Sequence, residues 1–148
     1  MATLTTTITE SIPDLVDGTT RSNVISEDYA VDDILERIVT IGAAEVTLYA
    51  THATVAQGGV FNDNFVKYAR ISNMHASQTL TIRVTNAGGD EALFKIKAGE
   101  SFILNGHDDM CSFNEGTANA TLHAISSVKA AGSGAGTPVE IFVASSNS

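Results

Sequence analysis

Several stretches of this sequence bring together residues that could do chemistry. His107-Asp108-Asp109, with Cys111 two residues beyond, is the densest run of metal-ligating side chains. Calcium loops place oxygens at alternating positions, and this run does not complete such a pattern, so it reads as a surface turn. Asn62-Asp63-Asn64 lies between Phe61 and Phe65 rather than between further ligands, and reads as a turn with apolar anchors. The histidines, His52, His75, His107 and His123, show no paired spacing that would organise zinc. His123 falls in an extended run and is expected to face outward. Gly88-Gly89-Asp90 and Gly132-Ser133-Gly134-Ala135-Gly136 lack the Lys-Ser/Thr and the following helix that let a glycine loop bind phosphate, so they read as turns. Hydroxyls are abundant, but no Gly-x-Ser-x-Gly elbow or protease-type cysteine motif surrounds them. The expectation is a protein that is not an enzyme and holds no metal or cofactor.

Composition narrows the classes further. The chain has 148 residues and a formal charge of −9, with only 8 Lys and Arg, which argues against nucleic-acid binding. The charge is uneven: residues 1–37 hold eight acids against Arg21 and Arg37, net −6, which leaves −3 for the rest. A basic partner or a solvated acidic face fits that asymmetry. Cys111 is alone, so no intramolecular disulfide forms. No run approaches the length of a membrane span and no basic opening precedes an apolar stretch, so synthesis in the cytoplasm without an export signal is expected. Sugar binding is disfavoured by the absence of Trp.

The elements that would position these residues read as extended throughout. Thr and Ser together number 30 of 148, which favours strands and turns. In QTLTIRVTN, Leu80, Ile82 and Val84 alternate with Thr81, Arg83 and Thr85, the period of a strand with one buried face. Asn86 to Asp90 then breaks the pattern, and Phe94 and Ile96 resume it, so a hairpin follows. A second break at Lys97–Ser101 leads to Phe102, Ile103 and Leu104, and the three strands are expected to form a meander. Thr3–Ser11 alternates Leu4, Thr6 and Ile8 with threonines, polar enough for an edge or for pairing with another chain. Arg21–Ser26 is its expected return strand. Residues 27–41 fit both helix and strand spacing; a loop or helical turn through Asp33, then a strand over Leu35–Ile41, is favoured. That strand and Glu45–Thr51 read as a hairpin around Gly42. Phe113 is expected to anchor the segment after Leu104, and Thr121–Ala130 and Val139–Ser145 supply the last strands. The tally of eight to ten strands without a repeat gives an all-β fold: an antiparallel β-sandwich or jelly roll of about eight strands with an extended N-terminal hairpin or arm. The expected division is 1–33 for the arm and 34–148 for the sandwich.

The order ILERIVTIGAAEVTLYA, then FVKYARISNMHASQTLTIRVTNAGGDEALFKIKAGESFIL, then VEIFVAS, resembles small virion structural proteins of tailed bacteriophages, notably of marine and cyanobacterial phages. The likeness spans most of Ile34–Ala144 and is most specific at Val66–Asn73 and Ala98–Leu104. It implies a β-sandwich located in the virion, assembled in the host cytoplasm. The implied function is capsid decoration, as a homo-oligomer with a trimer favoured, against the major capsid protein or another virion protein. A tail, neck or fibre-associated component, or a receptor- or glycan-binding module, are the alternatives. Partner contact is expected in the acidic, Thr-rich first third, at Thr5, Thr7, Thr9, Glu10, Asp14, Asp17, Arg21, Glu27, Asp28, Asp32 and Asp33. Loop residues 62–64 and 107–109 are expected as secondary contacts.

Overall fold

The computed structural model describes residues 1–13, 20–52, 60–107, 111–113 and 121–146. Eleven strands run in the order β1 (Ala2–Pro13), β2 (Thr20–Val31), β3 (Asp33–Ile41), β4 (Val46–His52), β5 (Val60–Asn62), β6 (Val66–Asn73), β7 (Leu80–Asn86), β8 (Glu91–Ile96), β9 (Ser101–Leu104), β10 (Ile125–Gly132) and β11 (Thr137–Ser145). No helix occurs among the described residues. β1 and β2 form a sheet of their own; the others build a five-stranded sheet, β5-β4-β10-β7-β8, and a four-stranded sheet, β3-β11-β6-β9. All pairs are antiparallel except β4 with β5.

The two larger sheets share one core. Leu80, Ile82 and Val84 of β7 and Val128 and Ala130 of β10 meet Ala69 and Ile71 of β6 and Val139, Ile141 and Val143 of β11 in a single apolar cluster. Each of these strands alternates buried and half-buried residues, so period-two patterning places one face of each sheet in the core. Phe113, Phe102 and Leu104 pack on its margin, while Phe94, on the edge strand β8, is 39% exposed and lies against Phe102 at 4.8 Å between ring centres.

Buried asparagines fasten both ends of β7. The Asn73 side-chain amide donates to the carbonyls of Gln78 at 2.8 Å and Lys97 at 3.0 Å, and its oxygen accepts from the His75 amide at 3.1 Å. Asn86 accepts from the Asp90 amide at 2.9 Å and donates to the Cys111 carbonyl at 3.3 Å. Such fully engaged amides fix turn geometry where a hydrophobe would fix only depth.

Several expectations are corrected. Residues 27–33 are neither loop nor helical turn: β2 runs to Val31, and Asp32 alone separates it from β3. The ladder with β1 holds this acidic stretch extended, pairing Glu27 with Thr6 and Asp28 with Thr5. β3 and β4 are not a hairpin, because β3 pairs with β11 in one sheet and β4 with β10 and β5 in the other. The meander likewise stops at β8, since β9 crosses to the other sheet and pairs with β6. Short connections such as Lys97–Glu100 can turn within a sheet or step between sheets, and only the core contacts choose. Asn62, expected within a turn, closes the short strand β5, in which Phe61 is buried. β10 begins at Ile125, and His123 makes an isolated bridge with Cys111 instead of lying in a strand.

Candidate functional site: the arm and the sheet face beneath it

β1 and β2 are twelve residues each and pair in register from Ala2 with Val31 to Pro13 with Thr20. Residues directly opposite in an antiparallel ladder point to the same side, so the ribbon has two faces. One carries Thr3, Thr5, Thr7, Thr9 and Ser11 with Ala30, Asp28, Ser26, Val24 and Ser22, all exposed. Across it, the Thr5 hydroxyl donates to Asp28 at 2.7 Å and the Thr7 and Ser26 hydroxyls lie 3.3 Å apart. The other face carries Leu4, Thr6, Ile8, Glu10 and Ile12 with Tyr29, Glu27, Ile25, Asn23 and Arg21.

Only the base of this second face is covered. Val31 is buried, Leu4 and Tyr29 are half-buried, and the Tyr29 ring lies 6.5 Å from that of Tyr68. Cover then fades: Ile8 and Ile25 are each 49% exposed and Ile12 is 67% exposed. The surface beneath is the outer side of the four-stranded sheet. Its side chains fall in rows set by the strand register: Ile34, Ala144 and Tyr68; Glu36, Phe142, Arg70 and Ile103; Ile38, Glu140 and Ser72. Tyr68 packs edge-on against Phe142 with centres 6.1 Å apart, and Arg70 pairs with Glu140 at 2.8 Å. Between ribbon and sheet runs a cleft of about 460 Å³, lined by Leu4, Ile8, Ile25, Tyr68, Ile103 and Phe142, with Arg70 and Glu27 as its charged groups. The Tyr29 hydroxyl donates to Glu27 beside this cleft, which together with burial raises its pKa. The lining residues offer apolar contact and hydrogen bonding.

The expected contact residues are thereby sorted. Thr5, Thr7, Thr9 and Asp28 share the polar face, whereas Glu10, Arg21 and Glu27 stand on the apolar one. Asp32 sits at the joint, its amide donating to the Ser145 carbonyl at 2.9 Å, and Asp33 opens β3. Asp14 and Asp17 lie outside the described residues, as do Asp108 and Asp109. His107 is not a surface contact. It is buried against Tyr49, with Nε2 and the tyrosine hydroxyl 2.7 Å apart, and burial lowers its pKa to about 4. The flanking Asn105, Gly106, Asp108 and Asp109 gave no sign of this, because Tyr49 comes from a distant strand. Asn62 and Asn64 form a local turn, with the Asn64 amide donating to the Asn62 side chain at 3.0 Å. The outer-face residues Tyr68, Arg70 and Phe142 escaped the sequence reading, although their alternation with Ala69, Ile71 and Val143 signals a second face.

Among the described residues, no group of three or more His, Cys, Asp and Glu could hold a metal ion. Cys111 is half-buried, and burial followed by the nearby Asp90 raises its pKa, away from a reactive thiolate. No protein-family profile matches the chain, and no curated protein matches it.

Proposed function

We propose that this protein is an assembly subunit of a virion, a capsid decoration protein that adds contacts between neighbouring capsomers. The observation that carries this reading is the arm: a two-stranded ribbon rooted by Val31 and Tyr29 whose remaining side chains are largely exposed. An exposed ribbon is a liability in a monomer and an asset in an assembly, because its edges and faces find partners. The polar face, with Thr5, Thr7, Thr9 and Asp28, supplies hydroxyl and carboxylate groups to a basic, hydrogen-bonding lattice surface. Many weak contacts of this kind hold by avidity on a repeating shell. The resemblance to phage virion proteins supplies the identity of that shell.

The test has two parts. Quantitative mass spectrometry of particles containing the chain should count hundreds of copies, against a few dozen at most for a tail or neck component (roughly, from symmetry). A variant lacking residues 1–30, which keeps Val31 and Asp32, should fold and fail to saturate capsids. Unchanged capsid affinity in that variant sinks the arm as the docking element.

A further inference from the structure

We infer that the free edge of β1 pairs with β1 of a second copy of this chain, joining two arms into one four-stranded sheet. Among the described residues six strands stand at sheet edges, and five of them are blunted against such pairing. β5 has three residues and β9 has four; β8 carries Glu91 and Lys95, β3 carries Asp33, Glu36 and Arg37, and β2 carries Arg21, Glu27 and Asp28. β1 has no such device. Its twelve residues pair with β2 without a bulge, Pro13 comes only at its end, and Glu10 is its one charged side chain. Its other edge meets no strand, so the outward backbone groups of alternate residues have no ladder partner among the described residues.

The cleft runs along this edge. Five consecutive residues of β1, Leu4 to Ile8, line it, although Thr5 and Thr7 point away from the face that carries Leu4, Thr6 and Ile8. A space that touches both sets borders the backbone edge rather than one face alone. A strand laid there gains ladder bonds and sets alternate side chains over Tyr68, Ile103 and Phe142. β1 of a second copy fits because the strand is its own complement. In an antiparallel pair centred on Ile8, Ile8 meets Ile8, Thr7 meets Thr9, Thr6 meets Glu10 and Leu4 meets Ile12. No charge opposes a like charge. Glu27, beyond Thr6, is two strand spacings from Glu10 of the second copy, about 10 Å, outside the screening length of about 8 Å at physiological salt. Ile25 and Ile8, each 49% exposed, join their copies in one apolar row across four strands. The two Leu4 positions stand about 26 Å apart along the sheet, so each sandwich stays under its own arm. The contact is isologous and closes at two copies. It rests on the arm alone, whether or not the chain belongs to a virion.

Light scattering on the purified full-length chain tests this without any capsid. Between roughly 1 and 100 µM, where modest affinities become visible, the protein should pass from monomer to dimer. Ile8→Lys and Ile8→Glu each set like charges against one another across the two-fold axis. Each should weaken dimerisation by about tenfold or more, while the circular dichroism and melting of the dilute chain stay unchanged. An equimolar mixture of the two variants sets opposite charges across the axis, and should dimerise about tenfold more tightly than either variant alone. A role of Ile8 within its own cleft would give no such recovery. A chain monomeric throughout, a dimer indifferent to both variants, or a mixture that associates no better than its components each overturns the inference. Loss or retention of capsid binding bears only on the decoration reading.

Discussion

In β7, Leu80, Ile82 and Val84 occupy alternate positions and are wholly buried. In β1, Leu4, Ile8 and Ile12 also share one face, yet their exposure climbs along the strand until the last is two-thirds open. The rows differ, because Thr6 and Glu10 interrupt that of β1 while that of β7 is unbroken, and the opposing layer differs as well. β7 faces β6 and β11 of the second sheet across a closed core, whereas the ribbon overhangs the only sheet beneath it. Alternation therefore marks a face that wants cover, and the cover can come from the same fold or from another molecule. The sandwich closes its apolar rows within the fold, and the arm leaves part of its row open.

The comparison sets a ladder of outcomes. Ile82→Ala opens a cavity in the shared core and should cost about 2–5 kcal/mol in denaturant unfolding. Ile12→Ala, at the same periodic position in the arm, should stay within about 0.5 kcal/mol in the monomer. Equal costs at the two sites would erase the distinction between arm and core.

The buried His107 supplies the next largest effect. Its pKa is lowered from 6.5 to about 4 by burial, so above pH 6.5 folded and unfolded chains are both neutral there and the full stability is present. Below pH 6.5 the unfolded chain takes up a proton that the folded one refuses. Stability then falls by up to about 1.4 kcal/mol per pH unit until about pH 4. In a His107→Gln variant, urea titrations should show a shallower decline over that window. An unchanged slope removes His107 from the core's acid sensitivity.

Smaller effects probe the turns and the arm. A Cβ at Gly88 would stand 2.8 Å from the His123 ring, so Gly88→Ala should cost about 1–3 kcal/mol as neighbours shift. Gly99 has φ near +77° with open space around it, so Gly99→Ala should cost about 1–2 kcal/mol from backbone strain alone. Thr5→Val, which removes the bond to Asp28 on the exposed ribbon face, should shift stability by no more than about 0.5 kcal/mol. Its signature belongs instead in faster hydrogen exchange of the β1 and β2 amides, and a large loss of global stability would show the arm to be part of the core.

The alternation of Leu80, Ile82 and Val84, and of Val139, Ile141 and Val143, made those strands and their buried faces legible at once. Thr3–Ser11 and Arg21–Ser26 likewise announced the ribbon, though not its length, because acidic residues 27–31 match helix and strand equally well until β1 is set beside them. Pairing between distant segments was not legible. Nothing near Leu35 or Leu104 names β11 or β6 as the partner, and an adjacent hairpin is the default guess that the crossings at Gly42 and Gly99 defeat. The candidate site was half visible: its threonines and acids stood out, while nothing in the pattern singled out Ile8, Ile25, Tyr68 and Phe142.

The amino-acid order by itself determined an all-β chain, the inward row of most strands, and the concentration of negative charge in the first third. Those properties are local, fixed by side-chain period and composition within a few residues. The tertiary structure decided which sheet each strand joins, that His107 is buried beside Tyr49, and that the arm's apolar row outruns its own domain. Each of these depends on what lies opposite a side chain, and that is set by residues far away along the chain.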